Sequence, residues 1–119
     1  MTRSDLQRLR DAKAYAWHAQ TNAGGLPPDV LAAASQPLHA ALFGLVVVGE
    51  SLNKVSAAVK SAAPDIPWQP ANELRNFIVH AYWQIDLNII ADVIENRLEP
   101  LIAQIDALIA VVEKSDSRS

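Results

Sequence analysis

The chain has no cysteine. That single absence removes a disulfide framework, a thiolate nucleophile and thiolate metal ligands. It also has no long apolar run. The longest, Leu42 to Val48, contains Gly44 and stops at Gly49-Glu50, far short of the roughly 20 residues a membrane-spanning helix needs. An excess of positive charge is missing as well: 10 Lys and Arg face 13 Asp and Glu, a net charge of −3. The sequence pI is near 5.5. This argues against the broad basic surface that dominates non-specific nucleic-acid binding, while leaving room for a local basic cleft of few residues. Residues 1–20 alternate charged and apolar character instead of forming an apolar leader core, so no secretory signal is expected and the expected location is cytoplasmic.

Half of the 119 residues are hydrophobic and 19% are charged, the balance of one folded, soluble domain. No alternating strand pattern bounded by turn residues stands out, and the β-branched run Val46-Val47-Val48 sits in an otherwise helical window. Ser4 or Asp5 can cap a first helix that runs to about Ala23, where Gly24-Gly25 is a natural stop. Pro27-Pro28-Asp29 starts a second segment that continues to about Ala62, kinked or split at Pro37. Three prolines in the seven residues Pro64 to Pro70 predict an extended loop. A third helix starts near Ala71, Asp86 can cap a continuation of it or a separate helix through about Leu98, and Glu99-Pro100 opens the last. In that last helix Leu101, Ile105, Leu108 and Val112 repeat at helical spacing. The expected fold is an all-α antiparallel bundle of four to five helices over residues 1–113, with a flexible Ser-rich tail at 114–119.

The stretch Arg75-Asn76-Phe77-Ile78-Val79-His80-Ala81-Tyr82 carries the chemistry. Arg presents a permanently charged planar fork that matches phosphate oxygens. Imidazole is the side chain that ordinarily exchanges a proton near neutral pH. On a helical wheel, Leu74, Phe77, Ile78, Ala81 and Ile85 form one stripe, read as the buried one. Arg75, Asn76, Val79, His80, Tyr82 and Trp83 fall on the other side, with Asn76 and His80 one turn apart and able to touch. A solvated face would carry Lys, Glu and Gln, whereas this one carries Tyr, Trp and Val. That composition predicts a contact surface and, most economically, a homodimer whose two-fold axis joins two Arg/His pairs into one shared cleft. Four cations, Arg3, Arg8, Arg10 and Lys13, lie in the first helix and are read as a solvated face. His18 and His39 match no motif position and are read as structural or exposed. Trp68 and Trp83 are read as packing at the loop and at the dimer surface.

The same residues resemble the HepT-like branch of the HEPN superfamily. Its signature, Arg-x4-His-x-Tyr with Asn after the Arg, is present as Arg75-Asn76, His80 and Tyr82. Two flanking segments are similar too: Val48-Gly49-Glu50-Ser51-Leu52, and the Pro64-Asp65-Ile66-Pro67-Trp68 loop before the signature. The Asp86 segment and Leu98-Glu99-Pro100-Leu101 also match in pattern. The resemblance covers residues 42–109 well and 1–41 only by helical pattern; Leu74 stands where the family often has Met.

The resemblance implies a HEPN-like bundle and a metal-independent ribonuclease, the toxin of a type VII-like toxin–antitoxin pair, using neither metal nor cofactor. It implies that His80 is general base or acid at the ribose 2′-hydroxyl, that Arg75 stabilises the phosphorane-like transition state, and that Asn76 orients the phosphate or His80. The implied partner is a minimal nucleotidyltransferase antitoxin that transfers AMP onto Tyr82, placing charge and bulk where RNA phosphate must sit. Glu50, on a helix packed near the motif, either pairs with Arg75 and fixes its fork or faces solvent. The alternative function is a non-catalytic substrate- or nucleotide-binding subunit of a nucleotidyltransferase complex.

Overall fold

The computed structural model describes residues 3–118. In chain order its helices are α1 (Arg3–Ala23), α2 (Pro28–Ala33), α3 (Ser35–Asn53), α4 (Ala57–Ala62), α5 (Trp68–Ala81), α6 (Leu87–Asp92) and α7 (Leu98–Arg118). Four of these are long (α1, α3, α5 and α7) and the short ones fill the connections. The central element is α3, packed against α1 on one side and α5 on the other, while α7 lies on α1 and α2 on α6. This is the expected all-α antiparallel bundle, drawn out to 50 × 25 × 21 Å.

Spacing in threes and fours builds the core. On α1 the buried line is Leu9, Ala12, Ala16, Ala19 and Ala23, and so many alanines let α3 approach closely. At the crossing stands Gly44, where a Cβ would lie 2.9 Å from the Tyr15 carbonyl oxygen. From α3 come Ala41, Leu45, Val48 and Leu52, and from α7 the expected Leu101, Ile105, Leu108 and Val112, all buried. Each helix thus buries one stripe against its neighbours.

Several boundaries differ from the sequence reading, each for a local reason. Helix α1 already includes Arg3, so Ser4 and Asp5 lie inside its first turn rather than ahead of it. Asp5 is buried, and its Oδ1 accepts the backbone N–H of Ser56 at 2.9 Å, tying the start of α1 to the α3–α4 turn. Gly25, at φ 83°, ends α1 as expected, and its N–H donates to the Glu95 carboxylate. The second segment does split, but at Ala34 (φ −101°, ψ 80°). Pro37 then falls in the first turn of α3, where a missing N–H costs nothing. A second break was not expected: α3 stops at Asn53, and Ser56 caps α4 by accepting the Val59 N–H on its side chain. Helix α5 begins at Trp68 with Pro67 at its N-cap, so Pro70 is tolerated in the first turn rather than prolonging the loop.

Glu99-Pro100 does not open a new helix either. Helix runs on from α6 through Val93–Arg97 into α7. Pro100 removes a backbone donor and crowds the Asn96 carbonyl, and just ahead of it the chain widens into a π turn in which the Leu98 N–H reaches back to the Val93 carbonyl. One wide turn lets the rod pass the proline. At its far end α7 continues through 114–118; Ser119, the rest of the expected tail, is outside the described residues.

Candidate functional site

The site is assembled where α3 meets α5. Two contacts position the start of α5. The Trp68 indole N–H donates to the Ala63 carbonyl at 2.9 Å, and the Lys60 ammonium sits 5.8 Å from the Trp68 ring centroid. Farther along, α5 rests directly on Gly49 of α3. A Cβ at Gly49 would come within 2.4 Å of the Arg75 Cβ and 2.7 Å of the Ala71 carbonyl oxygen. Only glycine permits this approach, and it brings the neighbouring Glu50 to Arg75.

The pair is close: Arg75 Nη2 donates to Glu50 Oε1 at 2.8 Å, and Nη1 donates to Asn76 Oδ1 at 2.7 Å. The Arg75 side chain is 25% exposed and that of Glu50 44%, while Arg75 Nε is buried with no acceptor. Ion pairs this open to water contribute about 0–1 kcal/mol. What Glu50 gives is orientation, holding the guanidinium in one plane at the edge of the seam. Of the two readings open for Glu50, the structure shows the paired one.

The wheel reading needs correcting on three points. Arg75 does not face away from the core. Its Cβ and Cγ lie on Gly49 of α3 beside the Ala71 carbonyl, while Phe77, assigned to the buried stripe, is 43% exposed. A wheel gives relative angles only, and an Arg whose methylenes are buried and whose head reaches out belongs to both faces. Second, Asn76 bonds to Arg75 rather than to His80. Third, α5 ends at Ala81, whose φ −144° and ψ 36° break the helix, and Tyr82–Gln84 form a 3-10 turn. Tyr82 therefore projects from beyond the helix end.

His80 is exposed in the last turn of α5, and no hydrogen bond among the described residues engages it. Tyr82 and Trp83 are 65% and 69% exposed, their rings edge to face at 5.7 Å. With Phe77 and Val79, 43% and 44% exposed, they give this end of α5 an apolar, aromatic exterior. Trp68 packs at the loop as expected. His18 touches the rings of Tyr15 and Trp17 edge-on and His39 is exposed on α3, both away from the motif. In the basic segment, Arg10 pairs with Glu113 and Lys13 with Asp106 across the α1–α7 seam, so these two cations are partnered rather than simply solvated; the Arg3 side chain is outside the described residues. Among the described residues no group of three His, Asp or Glu is placed to hold a metal ion, and no helix is long and apolar enough to cross a membrane.

Sequence reasoning underrated Gly49, although a glycine inside a helical pattern is a recognisable sign of close backbone approach. Gly49→Val is expected to lower stability by about 2 kcal/mol, because overpacking costs about 1–3 kcal/mol. The modest helix-propensity gain of Val over Gly, a few tenths of a kcal/mol, does not offset it. Thermal unfolding followed by circular dichroism checks this; an unchanged melting temperature would mean that α5 does not ride on Gly49.

The ribonuclease HepT-like family matches residues 9–108, a span that contains Glu50, Arg75, Asn76, His80 and Tyr82. A Methanocaldococcus jannaschii protein named Putative RNase MJ0127 is 29% identical over 80 residues, which are 67% of this chain and 66% of that protein. The chain thus spans slightly less than two thirds of that relative's length. No solved structure gives a significant match.

Proposed function

The chain belongs to the ribonuclease HepT-like family, and from that premise we propose that it is a cytoplasmic toxin that cleaves RNA without a metal, at a composite centre made by two copies of the chain. One observation carries the reading: Glu50 and Asn76 hold the Arg75 fork at the α3–α5 seam, with His80 exposed one turn past Asn76 on the same helix.

In this reading the ribose 2′-hydroxyl attacks the adjacent phosphorus. His80 takes the hydroxyl proton as the new 2′-O–P bond forms. The 5′-O–P bond breaks, and a second imidazole protonates the departing 5′-oxygen, leaving a 2′,3′-cyclic phosphate. Arg75 meets the charge that builds on the phosphoryl oxygens, and Asn76 keeps its fork aligned. Two imidazoles are required, and each copy offers one at this surface. The exposed Phe77, Val79, Tyr82 and Trp83 supply an apolar surface on which a second copy can sit.

The experiment is cleavage of RNA (tRNA or mRNA) by purified, unmodified chain in EDTA, with intact mass establishing that Tyr82 carries no addition. Absence of cleavage from that sample sinks the ribonuclease reading and leaves the non-catalytic nucleotidyltransferase subunit in its place. The composite centre has its own check. Sedimentation at micromolar concentration is expected to show a dimer, and Val79→Glu is expected to give a folded monomer with cleavage reduced at least tenfold. A parent chain that sediments as a monomer while cleaving RNA removes the shared centre from the proposal.

A further inference from the structure

Behind α5, on the side away from His80, lies a cavity of about 320 Å³. Its walls are Leu45 and Val48 from α3, Ala71 and Leu74 from α5, and Leu98 and Leu101 from α7. The lining residues open to solvent are mixed, with Pro67 and Pro70 among them. Ile89 is 56% exposed, and Asp92 and Arg97 stand beside it, paired with each other at 3.5 Å. The other Asp92 oxygen accepts from Asn96 Nδ2 at 2.7 Å. Asp92 is thus partnered by Asn96 and Arg97 at the mouth, while the side chains walling the interior are apolar.

We propose that this cavity is a binding site for a small neutral molecule with an apolar body of about two fused rings, and that its occupancy is transmitted to Arg75. The size follows from packing. An apolar void of roughly 150 Å³ holds one benzene, and this open-mouthed cavity has about twice that volume. The neutrality follows from the apolar interior, because an ionic group drawn inside would be desolvated with no side chain there to receive it. Transmission follows from the walls. Val48 adjoins Gly49, Leu74 adjoins Arg75, and the Ala71 carbonyl is among the atoms pressed against Gly49. With no slack at that contact, a body wedged between Leu45/Val48 and Ala71/Leu74 moves α5 on α3 and carries Arg75 with it. The π turn at Val93–Arg97 widens the opposite wall, and such turns recur at functional sites.

Indole is the probe, added to the full chain and followed by thermal unfolding and by proton–nitrogen NMR. The Arg75 Nε–H, buried without an acceptor, reports on the seam independently of any activity. The expected result is a saturable rise in melting temperature with a displaced Arg75 Nε–H resonance. Indole-3-propionate, with the same rings and a carboxylate, is expected to bind at least tenfold more weakly. Leu74→Trp, which fills the cavity, and Ile89→Trp, which closes its mouth from an exposed position, are each expected to lower indole affinity at least tenfold while melting cooperatively. No saturable effect at millimolar indole, or undiminished affinity in both variants, overturns the site. Tighter binding of the propionate overturns the neutral chemistry, and a stationary Arg75 resonance at saturation overturns the coupling.

Discussion

His80→Ala is expected to slow RNA cleavage in EDTA by about 10²–10⁴-fold, the range a positioned general acid or base contributes. The loss should fall at the upper end, because in the proposed composite centre the variant would lack both the base and the acid. Folding should barely change: His80 is exposed, and surface substitutions of this kind usually stay within about 0.5 kcal/mol. Arg75→Lys makes the contrasting case. Arg75 gives one N–H to Glu50 and another to Asn76 from a single rigid plane, and one ammonium cannot reproduce that fork. A loss of about 10²–10³-fold in cleavage is expected from the weaker stabilisation of developing charge. It should come with a lower melting temperature, since the seam itself is disturbed. Initial rates and melting curves on samples of verified mass separate the two effects. A His80→Ala chain that cleaves at the parental rate would remove His80 from the chemistry.

Much of this was legible in the sequence, and what was not has a common cause. The buried line of α7, the glycine stop after α1 and the splitting of the second segment follow from local pattern and turn chemistry. The motif residues were legible as a group because their types are unusual together on one helix. The face of α5 that meets α3 was not, because periodicity fixes the stripe only up to a rotation. What chose the rotation is a residue far away in sequence, Gly49, which admits the Arg75 stem and leaves Phe77 outside. The end of α5 at Ala81 and the unbroken rod through Pro100 were hidden for a similar reason. Ala81 is a good helix former whose break follows from packing overriding local preference, and the π turn by which the rod passes Pro100 has no residue signature of its own. The pairing of Glu50 could not be chosen from sequence at all, since it depends on the separation of two helices that a single missing Cβ determines.

Tyr82→Phe is expected to abolish neutralisation by the nucleotidyltransferase antitoxin that the family resemblance implies, while leaving RNA cleavage within about twofold of the parent. The proposed modification joins the phenol oxygen to the α-phosphorus of ATP: the new O–P bond forms, the bond to the β-phosphate breaks, pyrophosphate departs, and the phenolic proton passes to solvent or to a base of the transferase. Geometry favours this target. Tyr82 lies past the end of α5 in a 3-10 turn, 65% exposed, so an enzyme can reach it without unwinding a helix. Yet it is only seven residues beyond Arg75, about 10 Å along a helix axis at 1.5 Å per residue. An adenylate there is long enough to lay its phosphate toward Arg75 and His80 and occupy the place of the RNA backbone. The parent chain incubated with the transferase and ATP should gain the mass of one AMP unit and lose cleavage by at least 10²-fold, whereas the phenylalanine variant should gain no mass and stay active. If the variant is still silenced, neutralisation proceeds by direct occlusion and Tyr82 is not the switch. If it is still modified, the AMP acceptor is another residue.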